Sequence, residues 1–180
     1  MKVTGFTFIR NAIKLDYPIA EAIESILPIC DDFVVAVGNS DDETRKLIAA
    51  IDPIKIKIID TIWDDNLREN GSVLAIETNK AFQAISNQSD WAFYIQGDEV
   101  IHEKYLNSIK SAMTFYKDRN DIDGLLFNYH HFYGSYDYVG ASTQWYREEI
   151  RVIKNNKNIF SFKDAQGFRM SSNEKLKVAK

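Results

Sequence analysis

The chain has one cysteine, Cys30, among 180 residues, so it contains no internal disulfide and no cysteine-based metal cluster. Cys30 follows Ile26, Leu27 and Ile29 in an apolar helix-end pattern and reads as a small core residue. No apolar run approaches the length of a membrane span. The opening Met1-Lys2-Val3-Thr4-Gly5 lacks the apolar stretch and small-residue cleavage site of a secretion signal, so the cytoplasm is the expected location. There is no basic block: 22 Lys and Arg stand against 26 Asp and Glu, for a net charge of -4, which argues against nucleic acid as a partner. No GxGxxG follows the first apolar run, and no Gly-rich GK[ST] loop occurs anywhere. A dinucleotide site of the usual kind and a P-loop are both set aside. What remains is ordinary globular material, 45% hydrophobic and 27% charged, of a length that suits one domain with a real core.

The most informative stretch is Asp90-Trp91-Ala92-Phe93-Tyr94-Ile95-Gln96-Gly97-Asp98-Glu99-Val100. Its apolar start predicts a buried strand, Gln96-Gly97 ends the run, and two carboxylates follow at once. Acids at the carboxyl end of a strand stand where open α/β sheets bind ligands. Adjacent acids repel, and a divalent cation holding a phosphate would relieve them. A solvated acidic turn before a helix is the plainer alternative.

Other segments build a frame around that strand. A strand is predicted over 3–9, ending at Arg10-Asn11. A helix capped by Asp16, with Pro18 in its first turn, runs through Ile19, Ala22, Ile23, Ile26 and Leu27. The continuous run Phe33-Val34-Val35-Ala36-Val37 predicts a strand buried on both faces. Ser40 and Glu43 have the spacing of a capping box for a helix to about Ile51. Strand 54–59, a polar loop carrying Trp63, helix 72–86 and helix 103–116 follow. This alternation predicts a mostly parallel sheet with right-handed crossovers. After Asp123-Gly124 the pattern changes. An apolar, aromatic run over 125–133 leads to a loop rich in Gly, Ser and Tyr. A hairpin of 150–153 with 159–162 and a short strand at 176–178 complete an α/β domain whose second half is richer in antiparallel strands.

Four pieces in this order resemble family 2 glycosyltransferases of the GT-A fold. They are Phe8-Ile9-Arg10-Asn11; Asp31 to Thr44, similar to "DEIVVVDDGSTDGT"; Asn79-Lys80-Ala81; and Trp91 to Glu99, similar to "DWILFLDADE". The resemblance covers about two-thirds of the chain. It implies a GT-A-like Rossmann-type sandwich, with 1–124 as the nucleotide-sugar-binding half and 125–180 as the acceptor-side half. Family members are usually longer, so the chain is expected to belong to a longer unit or to pair with another subunit, possible partners including a second copy.

By the same resemblance, the reaction is sugar transfer from a nucleotide-diphosphate donor to a hydroxyl of a glycan or other acceptor. Phe8, Arg10, Asn11, Gly38, Asn39, Ser40, Arg68, Asn79, Gln96 and Gly97 would bind substrate. Asp98 and Glu99 would hold Mn²⁺ or Mg²⁺. The sequence departs from the family where the base-reading acids fall on Val37 and Gly38, and where the first Asp of the DxD motif falls on Gln96. Those losses suit the alternative of a degenerate domain that binds nucleotide or glycan without turnover. A nucleotidyltransferase on a similar sheet would need a Gly-rich basic loop that Arg10-Asn11-Ala12-Ile13 does not supply. The expected general base is Asp164, with Asp137 second. The late aromatics Tyr129, Tyr133, Tyr136, Tyr138, Trp145 and Tyr146 suit either sugar stacking or a core. His130 and His131 suit either a ligand contact or ordinary packing. Arg147 and Arg151 suit either a diphosphate or exposed pairs with Glu148 and Glu149.

Overall fold

The computed structural model describes residues 1–67, 71–140, 142 and 145–180. The elements run β1 Val3–Ile9, α1 Ile19–Ile26, β2 Asp32–Val37, α2 Thr44–Ile51, β3 Ile56–Asp60, α3 Ser72–Gln83, β4 Trp91–Tyr94 and α4 Leu106–Tyr116. Then come β5 Gly124–Asn128, β6 Phe132–Tyr133, β7 Ser135–Val139, β8 Glu148–Lys154, β9 Ile159–Phe162, β10 Gly167–Met170 and β11 Val178–Ala179.

Seven strands form one sheet in the order β11-β5-β8-β4-β1-β2-β3. β1 pairs in parallel with β2 and β4, β2 with β3, and β11 with β5. Only β8 runs against the rest, antiparallel to β4 on one side and to β5 on the other. The sheet therefore runs unbroken across the two halves expected from sequence.

Strand alternation sorts the core onto two faces. Phe33, Val35 and Val37 join Trp91, Phe93, Ile19, Ile23, Ile48 and Met113 on the face covered by α1, α2 and α4. Val34 and Ala36 join Phe6, Tyr94, Phe82, Ile85, Ile159 and Phe168 on the face covered by α3 and the β9–β10 ribbon. Gly5 is required by this packing: a Cβ there would lie 2.3 Å from the Phe33 ring.

Three local expectations fail for identifiable reasons. Strands 150–153 and 159–162 do not pair with each other; the first enters the main sheet as β8, and β9 pairs with β10. Buried Val152 and Ile153 find apolar neighbours on both sides of β8, which an isolated hairpin would not offer. Ser40 does not form a capping box, because its hydroxyl accepts the Asn11 N–H at 3.0 Å. Asp42 takes the capping role instead, receiving the Thr44 N–H and the Lys14 N–H, each at 2.9 Å. Asp16 adopts a positive φ of 54° and caps nothing; Pro18 stands at the helix start.

Candidate functional site

β4 delivers Gln96-Gly97-Asp98-Glu99 to the carboxyl edge of the parallel strands, beside the end of β1. A Cβ on Gly97 would lie 3.0 Å from Ile9 Cδ1, which fixes how closely the two strand ends approach. Glu99 closes the turn on itself. Its N–H donates to Gln96 O at 3.2 Å, and its Oε2 accepts the Gln96 N–H at 3.0 Å.

The same carboxylate meets Arg151 of β8 with two bonds, Nε to Oε2 at 2.9 Å and Nη2 to Oε1 at 2.7 Å. Tyr129 Oη donates to Oε1 at 2.6 Å. The side chains of Arg151 and Glu99 are 2% and 10% exposed, so this pair is buried. Arg151 lies between the Tyr94 and Tyr129 rings, at 5.3 and 5.2 Å. Burial works to raise the Glu99 carboxyl, but the Arg151 charge and its hydrogen bonds bring it below the usual glutamate range. Glu99 thus spends both oxygens inside the protein. Arg151 is neither an exposed pair with Glu149 nor free to meet a diphosphate, and Glu148 pairs with Lys180.

Asp98 is exposed and accepts no hydrogen bond from another described residue. Partial burial of its carboxyl, and then the Glu99 charge beside it, push it above the usual aspartate range. Glu149 is raised as well, by burial and by Glu99 and Asp164 against the opposing pull of Arg151. Asp98, Glu99, Glu149 and Asp164 therefore share one region with a single buried guanidinium. Among the described residues, negative charge is in excess there.

Asp164 reaches this region through the turn between β9 and β10, where Lys163 and Ala165 take positive φ. Ala165 O accepts from Gln96 Nε2 at 3.3 Å, tying the turn to the end of β4. Asp164 packs on Gly71, the residue before α3, whose φ is 67°; a Cβ on Gly71 would lie 2.5 Å from Asp164 Cβ. The helix N-terminus favours a carboxylate at that place. Asp164 Oδ1 is buried with no hydrogen-bond partner among the described residues.

A second group gathers around Trp63 at the ends of β1, β2 and β3. Its ring lies 5.8 Å from Phe8 and 5.7 Å from the Arg10 guanidinium. Gly38 makes room for it, since a Cβ there would sit 2.4 Å from Trp63 Nε1. Asn39 Oδ1 accepts the Trp63 N–H at 3.1 Å, and Arg10 Nη1 donates to Asp65 at 2.9 Å. Trp63 Nε1 and Arg10 Nε are buried donors without an acceptor among the described residues.

The other expected site residues divide. Asn11 and Ser40 lace the two loops together, Asn11 Oδ1 also accepting the Asp41 N–H at 2.9 Å. Asn79 is locked to the backbone of Ser161 through both ends of its amide, at 2.7 and 3.0 Å, and is a brace between α3 and β9. Asp137 lies exposed on β7, accepting a hydrogen bond from Ser135 at 3.3 Å, and no contact brings it to the rim. Arg68 lies outside the described residues. Sequence reasoning did not single out Trp63, Glu149 or the Glu99–Arg151 pairing. The signal for the pairing was a lone arginine inside the apolar run Ile150-Arg151-Val152-Ile153, which requires a buried acid.

No protein-family model matches the sequence, and no curated protein matches it. Solved structures do. S. aureus TarS 1–349 in complex with UDP-GlcNAc superposes with a TM-score of 0.53 at 21% identity, over 75% of this chain and 36% of that one. Its complex with UDP gives 0.52 at 21% identity, over 75% and 37%. The fold is GT-A. The chain spans about a third of the length of these TarS structures. The 4-diphosphocytidyl-2C-methyl-D-erythritol synthase of Anaerococcus prevotii also superposes, at TM-score 0.52 and 10% identity, over 86% of this chain and 70% of that one. In the GT-A frame, Asp98 stands at the carboxyl rim, flanked by the Trp63 group and the Asp164 turn. No group of three or more His, Cys, Asp or Glu among the described residues forms a metal cage. No helix among them is long and apolar enough to cross a membrane.

Proposed function

We propose that this chain is the nucleotide-sugar-binding unit of a glycosyltransferase that moves a sugar from a nucleoside diphosphate to an acceptor hydroxyl. The observation that carries this reading is Asp98: at the end of β4, a carboxylate with no hydrogen-bond partner among the described residues, in a region where the described acids outnumber the described cations. One protein carboxylate suits Mg²⁺ or Mn²⁺, which commonly keep waters and take the rest of their ligands from substrate phosphates. Asp98 is the residue that would hold such an ion, with Glu99 fixing the turn behind it. The ion would supply positive charge to the departing diphosphate. Arg10, Trp63, Phe8 and Gly38 would receive the nucleoside, whose carbonyl acceptors suit the two donors that have no acceptor among the described residues.

In the transfer, the acceptor oxygen forms a bond to the anomeric carbon as the bond from that carbon to the diphosphate oxygen breaks. The acceptor proton passes to the Asp164 carboxylate, and the diphosphate leaves with the bonding electrons. Asp164 is half-buried on its turn, so an oxygen other than buried Oδ1 is the one an acceptor hydroxyl would reach.

A second reading, a GT-A domain that binds donor or glycan without turnover, is favoured by Gln96. Its side-chain amide donates to Tyr94 Oη and Ala165 O, and so acts as a tie where the family has an acid. A nucleotidyltransferase shares the fold, but the loop after β1 lacks the glycines such chemistry needs. Thermal shift with UDP, UDP-sugars and other nucleotides, with and without Mn²⁺, separates these readings. Metal-dependent stabilisation that vanishes in Asp98→Asn, together with donor turnover, supports the transferase. Metal-independent binding without turnover supports the binding domain. No stabilisation by any nucleotide rejects the transferase and the donor-binding domain, and leaves only a glycan-binding domain.

A further inference from the structure

A cavity of about 360 Å³ opens where the chain passes from β5 to the β6–β7 ribbon and returns to β8. Its walls include Tyr129, His131, Gly140, Trp145, Tyr146 and Arg147. The rings are packed against one another. Tyr129 and His131 stack at 5.6 Å, and Tyr146 meets His131 edge-on at 4.5 Å. Trp145 lies 5.0 Å from His131. His131 Nε2 is bonded to Tyr146 O at 2.6 Å, which fixes the imidazole. Gly140 lets the indole lie against the backbone; a Cβ there would sit 2.7 Å from Trp145 Nε1.

We propose that this cavity binds a pyranose bearing an anionic substituent, a phosphate or a carboxylate, and that such a sugar is the hydroxyl acceptor. The word acceptor rests on the transferase reading; the binding site does not. Three features converge on this ligand. The volume falls in the range of small-molecule sites, and fixed aromatic faces match the C–H faces of a pyranose. Arg147 is an exposed guanidinium that forms no ion pair among the described residues, and its fork matches phosphate or carboxylate. Charge polarity then sets the orientation. Tyr129 connects the cavity to Glu99 through its hydroxyl, and its N–H donates to Arg147 O at 2.9 Å. An anionic group is repelled by the acids at the rim and held by Arg147, so the sugar's hydroxyl end faces the side of the cavity where Tyr129 meets Glu99. A quaternary ammonium would also favour the rings but is opposed by Arg147.

The test uses the whole chain with ¹⁵N-labelled tryptophan, no nucleotide and no metal. Three indole signals are expected, and Trp145→Phe assigns one of them. Glucose 6-phosphate and glucuronate should shift the Trp145 signal and leave that of Trp91, buried in the core, in place. Methyl glucoside should bind about tenfold more weakly, and Arg147→Gln should bring the charged sugars to that weaker level. Gly140→Ala, which displaces the indole, should abolish all three responses with the melting temperature retained. The proposal falls if no sugar moves Trp145, if Arg147→Gln changes nothing, or if choline alone produces the shift. Because no donor is present, a failure of UDP and Mn²⁺ to bind would remove the acceptor role and leave the sugar site standing.

Discussion

Arg151→Met removes both guanidinium bonds from Glu99 while roughly preserving side-chain length and apolar volume. Glu99 keeps the Tyr129 hydroxyl and the Gln96 N–H but loses its only counter-charge within hydrogen-bond distance among the described residues. Leaving one member of a buried pair unpaired costs about 3–5 kcal/mol. That is a large share of the roughly 5–15 kcal/mol that holds a domain folded. Glu99→Gln combined with Arg151→Met removes both charges and should recover most of the loss, since a neutral, filled site carries little penalty. Urea denaturation of the native chain, Arg151→Met, Glu99→Gln and the double variant gives the coupling directly, provided the m-values agree. The pH dependence adds a sign test. In the native protein Glu99 has a depressed carboxyl, so its contribution is present above the ordinary glutamate range and fades as pH falls through and below it. In Arg151→Met, burial dominates and the carboxyl is raised. Stability should then increase as pH falls from 7 toward 5, because protonation relieves the stranded charge. A single variant that loses less than about 1 kcal/mol, or a double variant no better than the single, would refute the buried-pair argument.

Asp98→Asn should leave the fold intact and abolish metal-dependent stabilisation by nucleotide, which in the native chain should reach about 5–10 °C at a hundredfold excess over Kd. Because the Asp98 carboxyl is raised, protons should compete with metal at a pH above the usual aspartate range, and calorimetric titration across pH 4 to 7 would detect it. Asp164→Asn should keep nucleotide binding and lower transfer by roughly 10²–10⁴, read by product formation at saturating donor. Gly38→Ala should cost about 1–3 kcal/mol and alter Trp63 fluorescence, because the added methyl meets the indole. Phe82→Ala should cost about 3–5 kcal/mol in urea denaturation, since the ring is fully buried and packs on Phe6 at 5.5 Å.

Local pattern was enough to read the frame. The doubly buried run of β2 and the apolar start of β4 specified strands by composition alone, and the alternation with helices specified parallel pairing. The partners of single polar residues were not legible in that way. Glu99 looked like a ligand because its neighbour is an acid; its actual partner is 52 positions away on a strand whose place in the sheet periodicity does not encode. Asn79 lies on a helix matched by the resemblance, yet its amide is claimed by Ser161, 82 positions on. Ser40 had the spacing of a helix cap, but a competing donor from the loop after β1 took its hydroxyl. In each case a contact distant in sequence won over a local preference. Asp98 and Asp164 Oδ1 differ in that they sit on turns and no hydrogen bond from another described residue claims them, which is why they remain candidates.

The direction of β8 has a consequence for how the protein is made. β4 and β5 point the same way, and the space between them is filled by a strand synthesised after both. A chain halted before residue 148 would hold β3, β2, β1 and β4 and would add to the β3 edge a second bare edge of backbone donors and acceptors along Trp91–Tyr94. It would also hold Glu99 without a cation. Insertion of one segment ends both conditions together, so fragments lacking it should aggregate and should not possess a formed ligand rim.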